Sequence, residues 1–213
     1  DDLLVGSGRG GKLGIFRNNE GEAFAVYDRP PFDRPVSRDT TSILGVTLRS
    51  RDPAVLIGLS NYEDGLALGT TVVQNRFRSK VPVVVRGGDA SSVGPMALSD
   101  WDQDGDLDLF VGGRFLVGRI PESPRSSLFL NNSGQFKRME QDNESIAGIG
   151  MVSGAIFTDV DGDSDPDLVC ALEWGSIQLF LNEKGQFRRA TDEWGLSDYR
   201  GFWNGVHAGD FNA

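Results

Sequence analysis

"SDWDQDGDLDLFVGG", residues 99–113, sets aspartates at 100, 102, 104, 106 and 108 and follows them at once with an apolar run. Two like charges ~4 Å apart repel by about 1 kcal/mol in water, and by about 4 kcal/mol at an effective dielectric of ~20. Five carboxylates in one tight loop therefore oppose its closure unless something positive gathers them. Gly105 lets the chain turn, and residues 109–111, Leu-Phe-Val, have the composition of a strand. The stretch reads as an acidic loop that feeds directly into a sheet.

The same phrase returns as "DVDGDSDPDLVCAL" (159–172), again with carboxylates at loop positions 1, 3, 5, 7 and 9. "DDLLVGSG" (1–8) fits the frame from its ninth position onward, and "DPAVLIGL" (52–59) fits more weakly. The equivalent positions are Asp2, Ala54, Asp108 and Asp167, at intervals of 52, 54 and 59 residues. A second element keeps phase with the first. "LGIFRNNEGEAF" (13–24), "SLFLNNSGQF" (127–136) and "QLFLNEKGQF" (178–187) each give an apolar strand, an Asn, a polar turn with Gly, and a Phe. "TVVQNRF" (71–77) stands in that place in the weak copy. A third element precedes the acids: "GPMALSD" (94–100), "GAIFTDV" (154–160) and "GVHAGDF" (205–211).

One repeat is thus four short strands, placed near 95–99, 107–112, 127–131 and 135–139 in the clearest copy. No segment carries helical periodicity over 11 or more residues. Four antiparallel strands per 50–60 residues is the arithmetic of a β-propeller blade, and such units are stable only when stacked on neighbours. The expected fold is all-β, a propeller of four-stranded antiparallel blades present as an incomplete arc. The approximate blades are 1–40 (partial), 41–92 (degenerate), 93–150, 151–200 and 201–213 (the opening of the next). The chain starts at Asp1 without a methionine and stops inside "GDFNA", so it reads as a piece of a longer protein, with any signal segment outside it.

Composition limits the partners. The 213 residues carry a net charge of −10, with 22 Asp and nine Glu, and ten of the Asp lie in the two loops. That balance argues against nucleic acid and anionic membrane. No apolar stretch reaches the roughly 18–20 residues of a membrane span. Cys170, the single cysteine, has no partner for an internal disulfide and reads as a small core residue.

Oxygen-only donors at this density suit calcium, which takes six to eight oxygens in a flexible shell. Zinc prefers nitrogen and sulfur, and His207 and Cys170 give it little to use. An EF-hand is excluded: its position 12 falls on Val111 and Cys170, Ser164 replaces the glycine in the second loop, and flanking helices are missing.

The pattern D-x-D-x-D-G-x-x-D-L between strands resembles the FG-GAP or VCBS repeat of the integrin α-subunit propeller and its bacterial relatives. Phrases such as "GRFLVGRIPESPRSSLFLNN" and "DEWGLSDYRGFWNGVHAGDFN" are similar to bacterial VCBS-repeat proteins related to the cartilage acidic protein group, which carry ASPIC/UnbV modules. The resemblance implies one Ca2+ on Asp100, Asp102, Asp104 and Asp108 with the carbonyl of Asp106. It implies a second on Asp159, Asp161, Asp163 and Asp167 with the carbonyl of Asp165. The side chains of Asp106 and Asp165 are then expected to be solvated or to support the ligands from outside. Ser164, in place of the usual Gly, is expected to strain its turn or weaken its site. Asp210 and Asn212 open a third, incomplete site. The loop at 46–54 has lost its acids apart from Asp52 and gained two arginines, so no ion is expected there.

Two functional classes follow. One is an extracellular, surface or periplasmic binding or adhesion module with structural calcium and a protein or glycan ligand. Its candidate surfaces are the insertion at 112–127, with Arg114, Phe115, Arg119 and Arg125, and the aromatic segment 192–205, with Trp194, Tyr199, Phe202 and Trp203. The alternative is the propeller part of a calcium-dependent polysaccharide lyase or hydrolase. G-x-S-x-G, H-E-x-x-H and phosphate-loop patterns are absent, so no catalytic residue is assigned. Sequons at Asn131 and Asn143 permit glycosylation.

Overall fold

The computed structural model describes residues 2–48, 51–64, 68–69, 71–140 and 143–211. The chain divides into two compact units, Asp1–Val93 and Gly94–Ala213.

The first unit holds two meanders. Strands β1 (Leu3–Val5), β2 (Gly14–Asn19) and β3 (Ala23–Val26) form a three-stranded sheet. Strands β4 (Thr40–Thr47), β5 (Pro53–Leu59), β6 (Val72–Arg76) and β7 (Val83–Arg86) form a four-stranded one. Leu13, Ile15, Phe32, Val55, Ile57 and Leu59 make one buried cluster. Tyr27, Phe32 and Phe77 stack beside it with centroids 4.6–6.1 Å apart. β5 is a continuous apolar run buried on both faces, as a central strand must be when neighbours cover it on each side.

In the second unit, β8 (Ser91–Ser99, which begins just before the division), β9 (Asp108–Leu116), β10 (Ser127–Asn132) and β11 (Gln135–Arg138) form a meander in simple chain order. A short helix, α1 (Asn143–Ala147), leads to β12 (Met151–Thr158) and β13 (Asp167–Glu173). A two-residue strand, β14 (Gly175–Ser176), leaves that sheet, which continues with β15 (Gln178–Glu183) and β16 (Gln186–Arg189). β14 pairs instead with β17 (Arg200–Gly201).

All long strands are antiparallel to their neighbours, and these four-stranded meanders are propeller blades. Register confirms the repeat frame. Leu3 faces Phe16, Leu109 faces Phe129 and Leu168 faces Phe180. The strands expected in the clearest copy are all present, with β8 and β9 several residues longer than composition indicated. The five-residue helix was not legible because it is too short to show a period.

The third copy of the element that precedes the acids, 205–211, was expected to be a strand like 95–99, but residues 202–210 form none. A Cβ on Gly154 would lie 2.8 Å from Gly205 Cα, so that segment still runs directly beside β12. Gly94 stands equally close to the Val152 carbonyl, 2.9 Å from a virtual Cβ. Glycine at the head of this element, at 94 and 154, thus serves close backbone approach, whereas a Cβ on Gly205 would meet open space.

The core of this unit joins Trp101, Phe110, Leu128, Ile146, Val152, Leu168, Cys170 and Phe180, all fully buried. Burial pushes the Cys170 thiol up, which makes it inert packing material, as its sequence context indicated.

Candidate metal centre

The two acidic loops close in the same way. Gly105 N–H donates to Asp100 Oδ2 at 2.9 Å, and Ser164 N–H donates to Asp159 Oδ2 at 3.0 Å. Asp106 N–H reaches Asp104 Oδ1 and Asp165 N–H reaches Asp163 Oδ1, both at 2.8 Å. Main-chain amides thus gather part of the negative charge. Each loop takes a left-handed backbone at its fourth and sixth positions. These are Gln103 (φ 58°) and Gly105 (φ 88°) in the first, Gly162 (φ 83°) and Ser164 (φ 76°) in the second. The glycine has changed places between the copies. Ser164 is strained as expected, but Gln103 carries the equivalent strain, so each loop holds one unfavourable residue.

Three of the five carboxylates in each loop converge. Asp100, Asp102 and Asp108 bring oxygens within 4.8 Å of one another, as do Asp159, Asp161 and Asp167. Asp104 and Asp163 stand outside those trios. The side chains of Asp106 and Asp165 are not solvated: they are 3% and 8% exposed. Asp106 Oδ2 accepts from Ser133 N–H at 2.8 Å, and Asp165 Oδ2 accepts from Lys184 N–H at 2.9 Å. Both donors sit in the hairpin turn that follows in the same sheet, so position 7 anchors the loop to that hairpin.

Position 9 has a second duty. Asp108 Oδ1 accepts the main-chain N–H of Asn131, and Asp167 Oδ1 that of Asn182, both at 2.8 Å. Asp2 Oδ1 does the same for Asn18 at 2.9 Å. Each Asn then accepts, through its own Oδ1, the N–H of Gly21, Gly134 or Gly185 at 2.7–2.8 Å. The repeated Asn and Gly are therefore a turn cap tied to the last acid of the loop. In the weak copy, Ala54 has no oxygen to offer and Phe77 stands at the Asn position, so the cap is missing there. This role also buries Asn131, whose Nδ2 donates to the Leu107 carbonyl at 2.8 Å.

The electrostatics differ between the copies. Asp108 is fully buried, and burial pushes its carboxyl up to about 7. Repulsion from Asp102 and Asp104 adds to this, while the Asn131 amide favours the charged form. Burial also raises Asp167 and Asp102 above the ordinary carboxylate range. Asp167 Oδ2 is met by the Val160 N–H at 2.7 Å. In the first loop, Asp100 Oδ1 and Asp108 Oδ2 are buried and have no hydrogen-bond partner. The Trp101 amide, the counterpart of Val160, favours the charged form of Asp108. Buried carboxylate oxygens without partners, in a trio whose carboxylates converge, are what a hard cation would satisfy, so these residues fit one.

Asp210 is exposed beside an open hollow lined by Thr158, Asp159, Val160 and His207, and Asn212 lies outside the described residues. His207 is exposed and stands on no strand.

β9 and β13 begin at the acidic loops, so their C-terminal ends lie at the opposite end of the sheets. There the insertion beyond β9 is pinned by Ser126 N–H to the Ala147 carbonyl and by Ser123 Oγ to the Gly148 carbonyl. At the same end Trp174 and Phe202 form an edge-to-face pair with centroids 5.8 Å apart, both more than half exposed. Trp203 Nε1 donates to the Gly175 carbonyl at 3.2 Å. Sequence reading missed Trp174 because it lies outside the aromatic segment and joins it only through the β14–β17 pairing.

The fold and loops define a class: an all-β repeat protein whose blade hairpins open with clustered aspartates. The FG-GAP-like repeat family model matches residues 100–170 and 159–213, together just over half the chain, and the chain belongs to that family. No curated protein matches it. Among the described residues, no helix is long and apolar enough to cross a membrane.

Proposed function

We propose that the two acidic loops each hold one Ca2+, that the ions are structural, and that the blades form a binding or adhesion module working outside the cytoplasm. The observation that carries the calcium reading is the trio Asp100, Asp102 and Asp108, with two buried oxygens that lack hydrogen-bond partners. Asp104 completes the first side-chain set, and Asp159, Asp161, Asp163 and Asp167 form the second. The main-chain carbonyls of Asp106 and Asp165 add to them. The ion would supply positive charge to loops whose carboxylates otherwise repel. Extracellular modules of this kind bind at roughly 0.1–1 mM, which matches calcium outside cells.

The recognition reading draws on the end of the sheets away from the loops. Trp174, Phe202 and Tyr199 are exposed there, and Trp174 adopts a left-handed backbone (φ 52°) that is unfavourable for a bulky residue. Exposed aromatics beside a pinned insertion suit a protein or glycan ligand.

Calorimetric titration of chelator-treated protein with CaCl2 tests the ion. Two sites are expected, with Asp100→Ala and Asp159→Ala each removing one. Absence of heat, or titrations unchanged by both substitutions, refutes the assignment. A glycan and protein array probed with and without chelator tests the recognition reading, which fails if nothing is retained in either condition.

A further inference from the structure

A small set of hydrogen bonds ties the first loop to the second, and one group of them meets at Asn182 of β15. Its main-chain N–H holds Asp167 Oδ1, the last acid of the second loop. Its Nδ2 donates at 3.0 Å to the carbonyl of Trp101, the second residue of the first loop. Its Oδ1 accepts from Gly185 N–H, and a Cβ on Gly185 would stand 3.3 Å from Asp102 Cβ. Asn182 is fully buried. Its counterpart Asn131 spends the same Nδ2 on the Leu107 carbonyl of its own blade, so the reach to another loop is not part of the turn cap as such.

A second tie runs the other way. Gln103 Nε2, from the first loop, donates to Asp165 Oδ1 at 2.6 Å, and Asp165 Oδ2 is held by Lys184 N–H. The equivalent of Gln103 is Gly162, which has no side chain. Trp101 seals the contact by packing on Phe157 and Phe187, with centroids 5.4 and 5.7 Å away.

We infer that Asn182 and Gln103 are positioning residues that couple the two cation sites, so that filling one favours filling the other. This rests on the calcium reading above. Ordering the first loop fixes the Trp101 carbonyl and Gln103. Those groups in turn hold Asn182 and Asp165, the residues that set the position of Asp167 and the turn of the second loop. A second ion then meets a loop whose ordering has already been done, and positive cooperativity follows without any change of fold.

The test is calorimetry on the full chain with CaCl2 as the probe. Asp100→Ala, which disables the first site, is expected to weaken the second site about fivefold or more. Asp159→Ala must weaken the first site by the same factor, because coupling is reciprocal. In Gln103→Asn, and in the isosteric Asn182→Asp, which cannot donate to the Trp101 carbonyl, that factor should fall to about twofold or less. Gln103 is exposed, so its substitution leaves the core intact. Two sites of mutually independent affinity, or a coupling factor unchanged in both variants, overturn the inference and leave the calcium reading standing. A wild-type protein that takes up no calcium removes the reading itself.

Discussion

Replacing Asp108 by Asn should make the cation-free protein more stable at alkaline pH and should abolish the first cation site. The side chain is fully buried, and its carboxyl is raised from 3.8 to about 7. The folded state therefore holds a proton that the unfolded chain releases between those values. Stability falls as pH rises through this window and levels off above about 7. The gap corresponds to ~4 kcal/mol as a ceiling, since each pH unit is worth ~1.4 kcal/mol. Asparagine keeps the oxygen that accepts from Asn131 N–H and places a neutral amide beside Asp100 and Asp102. For a chain of this size, each ~1 kcal/mol moves the melting temperature by about 2–4 °C. Thermal melts in chelator should show the variant higher by several degrees at pH 8 and equal to wild type near pH 4. Added calcium should raise the melting temperature of wild type at pH 8 more than that of Asp108→Asn. Parallel pH profiles for the two proteins, or a variant less stable at pH 8, would refute the reasoning.

Further outcomes follow from the loops and their contacts. Ser164→Gly removes a left-handed serine and should stabilise by ~0.5–1 kcal/mol, read from denaturant midpoints, whereas Gly105→Ala at φ 88° should destabilise by ~1–2 kcal/mol. Gly185→Ala meets both a φ of 87° and Asp102 at 3.3 Å, so it should lower the melting temperature and weaken calcium uptake in the first loop, although it lies 77 residues from Asp108 in a hairpin with no ligand of its own. Trp101→Ala deletes a fully buried indole packed against Phe157 and edge-on to Phe187 and should destabilise by ~3–5 kcal/mol, with loss of near-ultraviolet dichroism as the readout.

The long strands, the repeat frame and the acidic loops were legible in the amino-acid sequence, whereas the β14–β17 pair, the short helix and the strandless segment 202–210 were not. Alternating acids, a turn glycine and an apolar run are local signals, and local signals survive in a one-dimensional reading. The frame even predicted that Leu109 and Phe129 would correspond to Leu168 and Phe180, and those residues are register partners. The division of labour among identical aspartates emerges only on folding. Position 7 turns inward to a hairpin amide, position 9 caps an Asn 15–23 residues away, and only three of five converge. Those choices depend on which main-chain N–H groups the folded sheets leave facing each carboxylate. The same holds for Asn182 and Trp174, whose partners at 101 and 202 are distant in sequence. Their roles come from sheets laid beside one another, a property that no local pattern encodes.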